Sequence, residues 1–314
     1  MNNREYYKAL VNSLKSGNIT RKTYLTGSDI GHEEIWKSGK LVAENFKAKN
    51  ESAEVLTEIV QAKPFVVMFG AGHVGKALYE LCSFVGISTA VVDPRIEVNN
   101  EERFPKAKRF VMSYEEFFQK DEEFFNPYYC IFTHGHLFDR ECLKYCVSKE
   151  SSYIGMIGSK GKVAKTFASL IDEGVSKEKL DKVHSPIGLT IGGDSPEEIA
   201  VSIMAEIISV YAEHKHRATA EVSFLKELEK VDSGVLCRIV HKAGSGPREV
   251  GTEMLVLPNK TIGTVGGGAL EKTVIKDARE LKENTVKHYG LSASDDLGMI
   301  CGGNVDILFQ IIKG

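Results

Sequence analysis

Between the apolar run Phe65–Phe69 and the run Ser88–Asp93 lies the hexapeptide Gly70-Ala71-Gly72-His73-Val74-Gly75. No other stretch restricts the fold as strongly. A strand-like run before it, a helical period after it and an acidic residue closing the next strand are the context of a dinucleotide-type β-turn-α-β unit. Gly70 permits the tight turn, Gly72 lets the main chain approach a pyrophosphate, and Gly75 lets the helix pack on the strand. The helix start leaves N–H groups free for an anion. Asp93 would accept from ribose hydroxyls and repel a 2′-phosphate, whereas Arg95 follows closely and leaves both NAD and NADP open. His73 either faces a ligand or caps the helix.

The pattern continues downstream. Val74, Ala77, Leu78, Leu81 and Val85 recur at helical spacing. Strand-like runs at 108–112, 128–133 and 152–158 alternate with helical stretches at 137–147 and 160–170. Asp194 or Ser195, followed by Pro196, Glu197 and Glu198, marks a further helix start. This predicts an α/β protein whose Rossmann-like parallel sheet domain spans 61–214, with helices on both faces. A polar stretch opens a linker over 215–232. Residues 233–314 read as a smaller glycine-rich α+β domain. Residues 1–60 read as a helix over Arg4–Leu14, a polar middle and a second helix near Glu54–Gln61. No chemistry is evident in that segment, and it is expected to pack with the C-terminal domain.

The 314 residues suffice for two domains. Lys and Arg total 40 against 43 Asp and Glu, a net charge of -3, so no basic excess points to nucleic acid or an anionic membrane. No apolar run reaches membrane-spanning length, and the N-terminus lacks a signal-peptide core. Six cysteines, at 82, 130, 142, 146, 237 and 301, form no CxxC pair. Free thiols in a reducing cytoplasm are the expectation.

Two more loops fall where strands of the parallel sheet would end. Thr133-His134-Gly135-His136-Leu137-Phe138-Asp139 has the H-x-H and nearby carboxylate of a metal site, or forms a hydrogen-bonded loop that caps a helix. Gly158-Ser159-Lys160 either cradles a phosphate or turns the chain. The last third carries three glycine-dense loops: Ser245, Arg248 and Glu249 among Gly244, Gly246 and Gly251; Gly266, Gly267 and Gly268 before a helix with Glu271 in its first turn; and Cys301 before Gly302 and Gly303. Successive glycines let several N–H groups converge on one anion. An arginine adds a bidentate clamp, and a thiol on such a loop is a nucleophile or soft-metal ligand. Taken singly, the loops are tight turns, Glu271 complements a helix dipole, and Cys301 is a core thiol.

Taken together, "GSGPREVGTEM", "GTVGGGALE" and "CGGNVDIL" resemble the motifs of the XdhC/CoxI family, the xanthine dehydrogenase accessory factors. So do "FGAGHVGKAL", "VVDPR", "ERFP", "THGHLFD", "YIGMIGSKGK" and "HSPIGLTIGGDSPEEIAVSIMAEII". The resemblance covers roughly 64–213 and 233–314 and departs from the family pattern twice. The glycine-rich domain usually precedes the Rossmann domain, so this chain looks circularly permuted. Where the family usually reads G-G-C-[LV]-E, Ala269 stands in place of the cysteine.

The resemblance implies a protein that binds molybdenum cofactor (molybdopterin), assists its sulfuration with a cysteine desulfurase and hands it to a molybdenum hydroxylase apoenzyme. It implies Cys301 as molybdenum or sulfur contact, and Ser245, Arg248 and Glu271 as polar groups of the pocket. A homodimer is expected as well. Two alternatives rest on the first glycine motif. One is an NAD(P)-dependent oxidoreductase with His134 or His136 as proton donor. The other is a nucleotide-sensing module.

Overall fold

The computed structural model describes residues 2–15, 17–49, 53–212, 217–244, 248–291 and 303–313. The chain first forms a helix, α1 (Asn3–Lys15), which buries Tyr6, Tyr7, Leu10, Val11 and Leu14 at helical spacing. Then come β1 (Ile19–Tyr24), β2 (Glu33–Lys37), β3 (Lys40–Glu44) and β4 (Val55–Ala62). The last of these corrects the helix expected near Glu54–Gln61. Val55, Thr57, Ile59 and Val60 are β-branched, and the segment pairs antiparallel with β1 from Val55↔Tyr24 to Val60↔Ile19. A weak helical period loses to cross-strand pairing over that length.

Eleven elements follow: β5 (Phe65–Phe69), α2 (His73–Phe84), β6 (Ser88–Val92), β7 (Lys108–Phe110), α3 (Tyr114–Lys120), β8 (Pro127–Ile131), α4 (Asp139–Ser148), β9 (Tyr153–Met156), α5 (Lys160–Asp172), α6 (Lys177–Leu180) and α7 (Pro196–Ala212). Strand order is β7-β6-β5-β8-β9, and every pair is parallel. Successive side chains of a strand point to opposite faces. Val66 and Met68 therefore join Leu78 of α2 and Ile203 and Ile207 of α7 in one core, while Val67 and Phe69 join Phe117 of α3, Leu143 of α4 and Leu170 of α5 in another. Each fully buried aliphatic or aromatic residue there stabilises by about 1.5–3 kcal/mol. Ser195 caps α7 reciprocally: its Oγ accepts from Glu198 N–H (3.2 Å), and Glu198 accepts from Ser195 N–H (3.1 Å).

Residues 63–215 make one compact unit, and residues 1–62 with 216–314 make the other. The stretch taken as a linker from its polarity holds β10 (Arg217–Ala220) and α8 (Val222–Leu228). Its local composition hides this because β10 gains its partner, β4, from far upstream, in a parallel register from Arg217↔Ile59 to Ala220↔Ala62. The remaining elements are β11 (Ser233–Gly244), β12 (Glu253–Val256), β13 (Thr261–Gly263), α9 (Gly268–Arg279), β14 (Thr285–Gly290) and β15 (Gly303–Lys313). The second unit thus has two sheets, ordered β10-β4-β1-β2-β3 and β13-β12-β11-β15-β14. The helix α9 covers one face of the latter with Leu270, Val274 and Ala278.

Buried charges tie these two sheets together. Arg238 of β11 pairs with Glu33 of β2 and, at 2.6 Å, with Glu253 of β12. Arg21 of β1 pairs with Glu58 of β4 and with Glu253, both at 3.0 Å. Burial pushes the Glu33 carboxyl up, but Arg238 and Arg21 outweigh it and hold it below its ordinary range. Loop residues add stitches: Gly31 O accepts from Gln310 Nε2 (2.8 Å), and Ile30 O accepts from Asn284 Nδ2 (2.9 Å). Among the described residues, no helix is long and apolar enough to cross a membrane.

Candidate functional site

In the parallel-sheet unit the glycine motif does steric work. Gly70 has φ +126°, and a Cβ there would lie 2.3 Å from Phe132 O. A Cβ on Gly75 would lie 2.5 Å from Gly70 O. Gly72 is the N-cap residue of α2 and has open space around it. His73 follows it, exposed, as the first residue of the helix.

Asp93 is fully buried and its carboxylate is spoken for. Oδ2 accepts from Ala71 N–H (2.8 Å) and Arg95 Nη2 (2.7 Å); Oδ1 accepts from Arg95 N–H (3.0 Å) and Nε (2.9 Å). Burial raises its pKa, and these donors more than offset that and hold it low. Asp93 and Arg95 therefore buttress the Gly70–Ala71 turn. A ribose hydroxyl would compete with donors already in place.

The loops after β8 and β9 lie on the same end of the sheet. Asp139 Oδ1 accepts from Thr133 N–H (3.0 Å) and Thr133 Oγ1 (2.7 Å), and its Oδ2 faces His136 Nδ1 at 2.8 Å. His134 is exposed and outside this cluster. Among the described residues, no group of three or more His, Cys, Asp or Glu is placed to hold a metal ion. Ser159 is the N-cap residue of α5 without a side-chain capping bond, and Lys160 beside it is exposed. Past them Glu206 accepts from Gly188 N–H (2.8 Å) and pairs with His184 Nδ1 (3.1 Å), which anchors the segment after the His184–Gly155 bridge.

In the second unit, strand register decides which glycine loops meet. Gly244 is the Cα partner of Gly303, and Gly290 is the partner of Asn304. β12 begins at Glu253, opposite Arg238, and β13 ends at Gly263, opposite Met254. Because neighbouring strands here are antiparallel, the connections after Gly244, after Gly263 and before Gly303 all leave one end of the sheet. Ser245, Cys301 and Gly302 lie outside the described residues, on two of those connections. Arg248 is exposed on the first. Gly251, on the same connection, faces Glu58 Oε1 and Ala218 so closely that a Cβ would sit 3.1 and 2.8 Å from them.

Gly266, Gly267 and Gly268 have φ of +134°, +73° and +64°, and Cβ atoms on the last two would meet nothing within 4 Å. Glu271 serves this turn directly. Its Oε2 accepts from Gly267 N–H at 3.0 Å and from Thr264 Oγ1, which accepts in turn from Gly266 N–H at 3.1 Å. The described cysteines 82, 130, 142, 146 and 237 are free and buried. Burial pushes the Cys82 thiol up to about 12 and the others upward as well, so none is a ready nucleophile.

Sequence reasoning missed the five-member buried ion network. The available signal was charge at inward positions of short alternating strands, at Arg21, Glu33, Glu58 and Arg238. The hydrogen-bonded reading of the HGH loop is the one observed, with Thr133 and Asp139 as the frame that holds His136.

Comparison with known proteins bears on both units. Residues 66–207 match the family described as the XdhC Rossmann domain, and residues 228–290 match the XdhC and CoxI family. The chain is similar to the uncharacterized protein YqeB of Escherichia coli K12, 28% identical over 193 residues, which are 57% of this chain and 35% of YqeB. It is also similar to a Bacillus subtilis 168 protein described as a probable xanthine dehydrogenase subunit, 27% identical over 220 residues, 65% of this chain and 64% of that one. It thus spans less than two thirds of either relative. A crystal structure described as a xanthine dehydrogenase from Bacillus halodurans superposes with a TM-score of 0.51 at 24% identity, over 65% of each chain, a likeness of fold. With one family description on each of its two units, the chain belongs to the XdhC and CoxI family, its Rossmann domain standing ahead of its XdhC/CoxI domain.

Proposed function

We propose that the chain is an accessory factor of a xanthine dehydrogenase-type molybdenum hydroxylase. It takes molybdenum cofactor as cargo at the glycine-loop end of the antiparallel sheet, assists sulfuration with a cysteine desulfurase, and passes the cofactor to the hydroxylase apoenzyme. The observation that carries this reading is the Gly244–Gly303 register, which sends the connections bearing Ser245, Arg248 and Cys301 out from one end of one sheet. The residues suit an anionic cargo. Gly267 and Gly268 leave their outer side open, and Arg248 is exposed. Glycine loops and a guanidinium recognise phosphate and oxo groups, and a thiol recognises a soft metal. The cargo brings the molybdenum chemistry; the chain binds it, orients it and keeps it from solvent. Glu271 holds the loop through Oε2, which accepts from Gly267 N–H and Thr264 Oγ1. A nucleotide such as NAD or NADP in the other unit serves this reading as a regulator or structural ligand.

Native mass spectrometry of protein expressed with molybdate tests the proposal. Molybdopterin should be retained, and Cys301→Ala and Arg248→Ala should each reduce retention. A folded wild type that takes up none from a donor enzyme would sink it. The Bacillus subtilis relative, named for a xanthine dehydrogenase, supports a hydroxylase as partner. The desulfurase is tested by sulfur transfer from radiolabelled cysteine. A homodimer completes the proposal, and a light-scattering mass near 34.7 kDa would contradict it.

A further inference from the structure

Asp139 is buried at the start of α4 and divides its two oxygens. Oδ1 is filled by Thr133, whereas Oδ2 faces both His136 Nδ1, at 2.8 Å, and Lys162 Nζ, at 4.0 Å. A carboxylate oxygen accepts, so Nδ1 carries a proton, and in the neutral imidazole Nε2 then keeps the lone pair. The imidazole is 40% exposed. His136 has φ +60° and follows Gly135 at +58°, a conformation that a non-glycine residue keeps only when its surroundings impose it.

This loop stands at the ligand end of the parallel sheet. Phe132 O, just before it, meets the bare side of Gly70, and Ile157 N–H, from the loop after β9, donates to Ile131 O (2.9 Å). Strand order reverses between β5 and β8, where open α/β sheets take their ligands. Leu137, next to the dyad, is 72% exposed, and Phe138 lies with its ring centroid 5.3 Å from that of Tyr114.

We propose that His136, oriented by Asp139, is the ligand-contacting acid–base group of the Rossmann unit, for an anionic ligand that carries a flat ring. The ring lies on the apolar pair Leu137 and Phe138, and the negative group turns toward Lys162. The neutral imidazole accepts a hydrogen bond at Nε2 from a hydroxyl or ring N–H of the ligand. If that proton transfers, it leaves the ligand as an anion and makes an imidazolium paired with Asp139. Nucleotides and a phosphorylated pterin share this chemistry. The inference does not depend on the glycine loops of the other unit.

The test is nitrogen-15 NMR and calorimetry on the full chain. One arm uses NAD, NADP and ATP; the other uses molybdopterin released from a donor enzyme. The free protein should show His136 as the Nδ1–H tautomer, and one arm should bind and shift Nε2. His136→Ala should weaken that probe about tenfold or more with an unchanged melting temperature. Asp139→Asn offers Nδ1 an N–H and should switch the tautomer and weaken binding alike. If that buried change unfolds the unit, Lys162→Ala, on a half-exposed side chain, should lower affinity in a salt-dependent way. An Nε2–H tautomer, full affinity in His136→Ala, or no probe that moves His136 overturns the inference. Molybdopterin retained with His136 unmoved overturns it while leaving the cargo reading intact; a nucleotide response at His136 without molybdopterin retention does the reverse.

Discussion

Gly244 and Gly303 are Cα partners where β11 ends and β15 begins. Far apart in sequence, they bring two glycine-rich connections to the same end of one sheet. The proposed cargo site depends on this pairing more than on any single motif. It also makes the glycines separable by experiment, because some are required by packing and others only by backbone conformation.

Gly70→Ala should be severe. The added methyl would lie 2.3 Å from Phe132 O at φ +126°. Strain and overpacking together should cost about 3 kcal/mol or more. Gly267→Ala meets no atom within 4 Å and bears only backbone strain, at φ +73° and ψ −175°, a region kept almost entirely to glycine, so about 1–3 kcal/mol is expected. Thermal melts of both variants check the difference; equal destabilisation would contradict it.

Arg238→Met should destabilise the two-sheet unit by about 3–5 kcal/mol, because Glu33 and Glu253 would be left with too little positive charge beside them. The chain's one tryptophan, Trp36, lies on β2 with Glu33 and reports on that unit alone. Urea titration followed by its fluorescence reads the change directly.

Acid should act on the same unit. The Glu33 pKa is depressed in the folded state, so its stabilisation is present above the unfolded-state value and is lost as pH falls through the folded one. Trp36 fluorescence should therefore hold steady near neutrality and show unfolding below about pH 4. A signal that changes already between pH 7 and 5 would point to a different group.

Thiol labelling gives an independent check. Cys82, Cys130, Cys142, Cys146 and Cys237 are buried with raised pKa values. A Cys301→Ser variant should take up no aromatic disulfide reagent until denaturant is added, and then five equivalents, one per remaining thiol. Labelling in the native state would show that one of the five is accessible.

Glu271→Ala removes the acceptor for Gly267 N–H and Thr264 Oγ1. A loss of about 1 kcal/mol in stability is expected, with a clear loss of molybdopterin retention. Unchanged retention would separate the turn from the cargo site.

Much of the parallel-sheet unit was legible from residues alone. Alternating apolar runs, helix starts such as Ser195-Pro196 and a glycine motif between strands are local signals, and each answers to the backbone within a few residues. The second unit was less open to that reading. Glu54–Gln61 carries a mixed period that pairing resolves as a strand, and 217–228 looks like a connector until β4 is beside it. Glu33 and Arg238 show nothing of their pairing in their own neighbourhoods.

The same division holds at the sites. Sequence by itself determined which residues could do chemistry: Gly70, Gly72 and Gly75, Asp93, the two histidines of the HGH turn, and the three glycine loops. Tertiary structure alone decided their employment. It committed Asp93 to Arg95 and Ala71, tied Glu271 Oε2 to its own turn, turned His136 Nδ1 to Asp139, and set Gly244 against Gly303. The physical reason is that a side chain's chemistry belongs to the residue, whereas the donors and charges that occupy or release it arrive from strands distant in sequence.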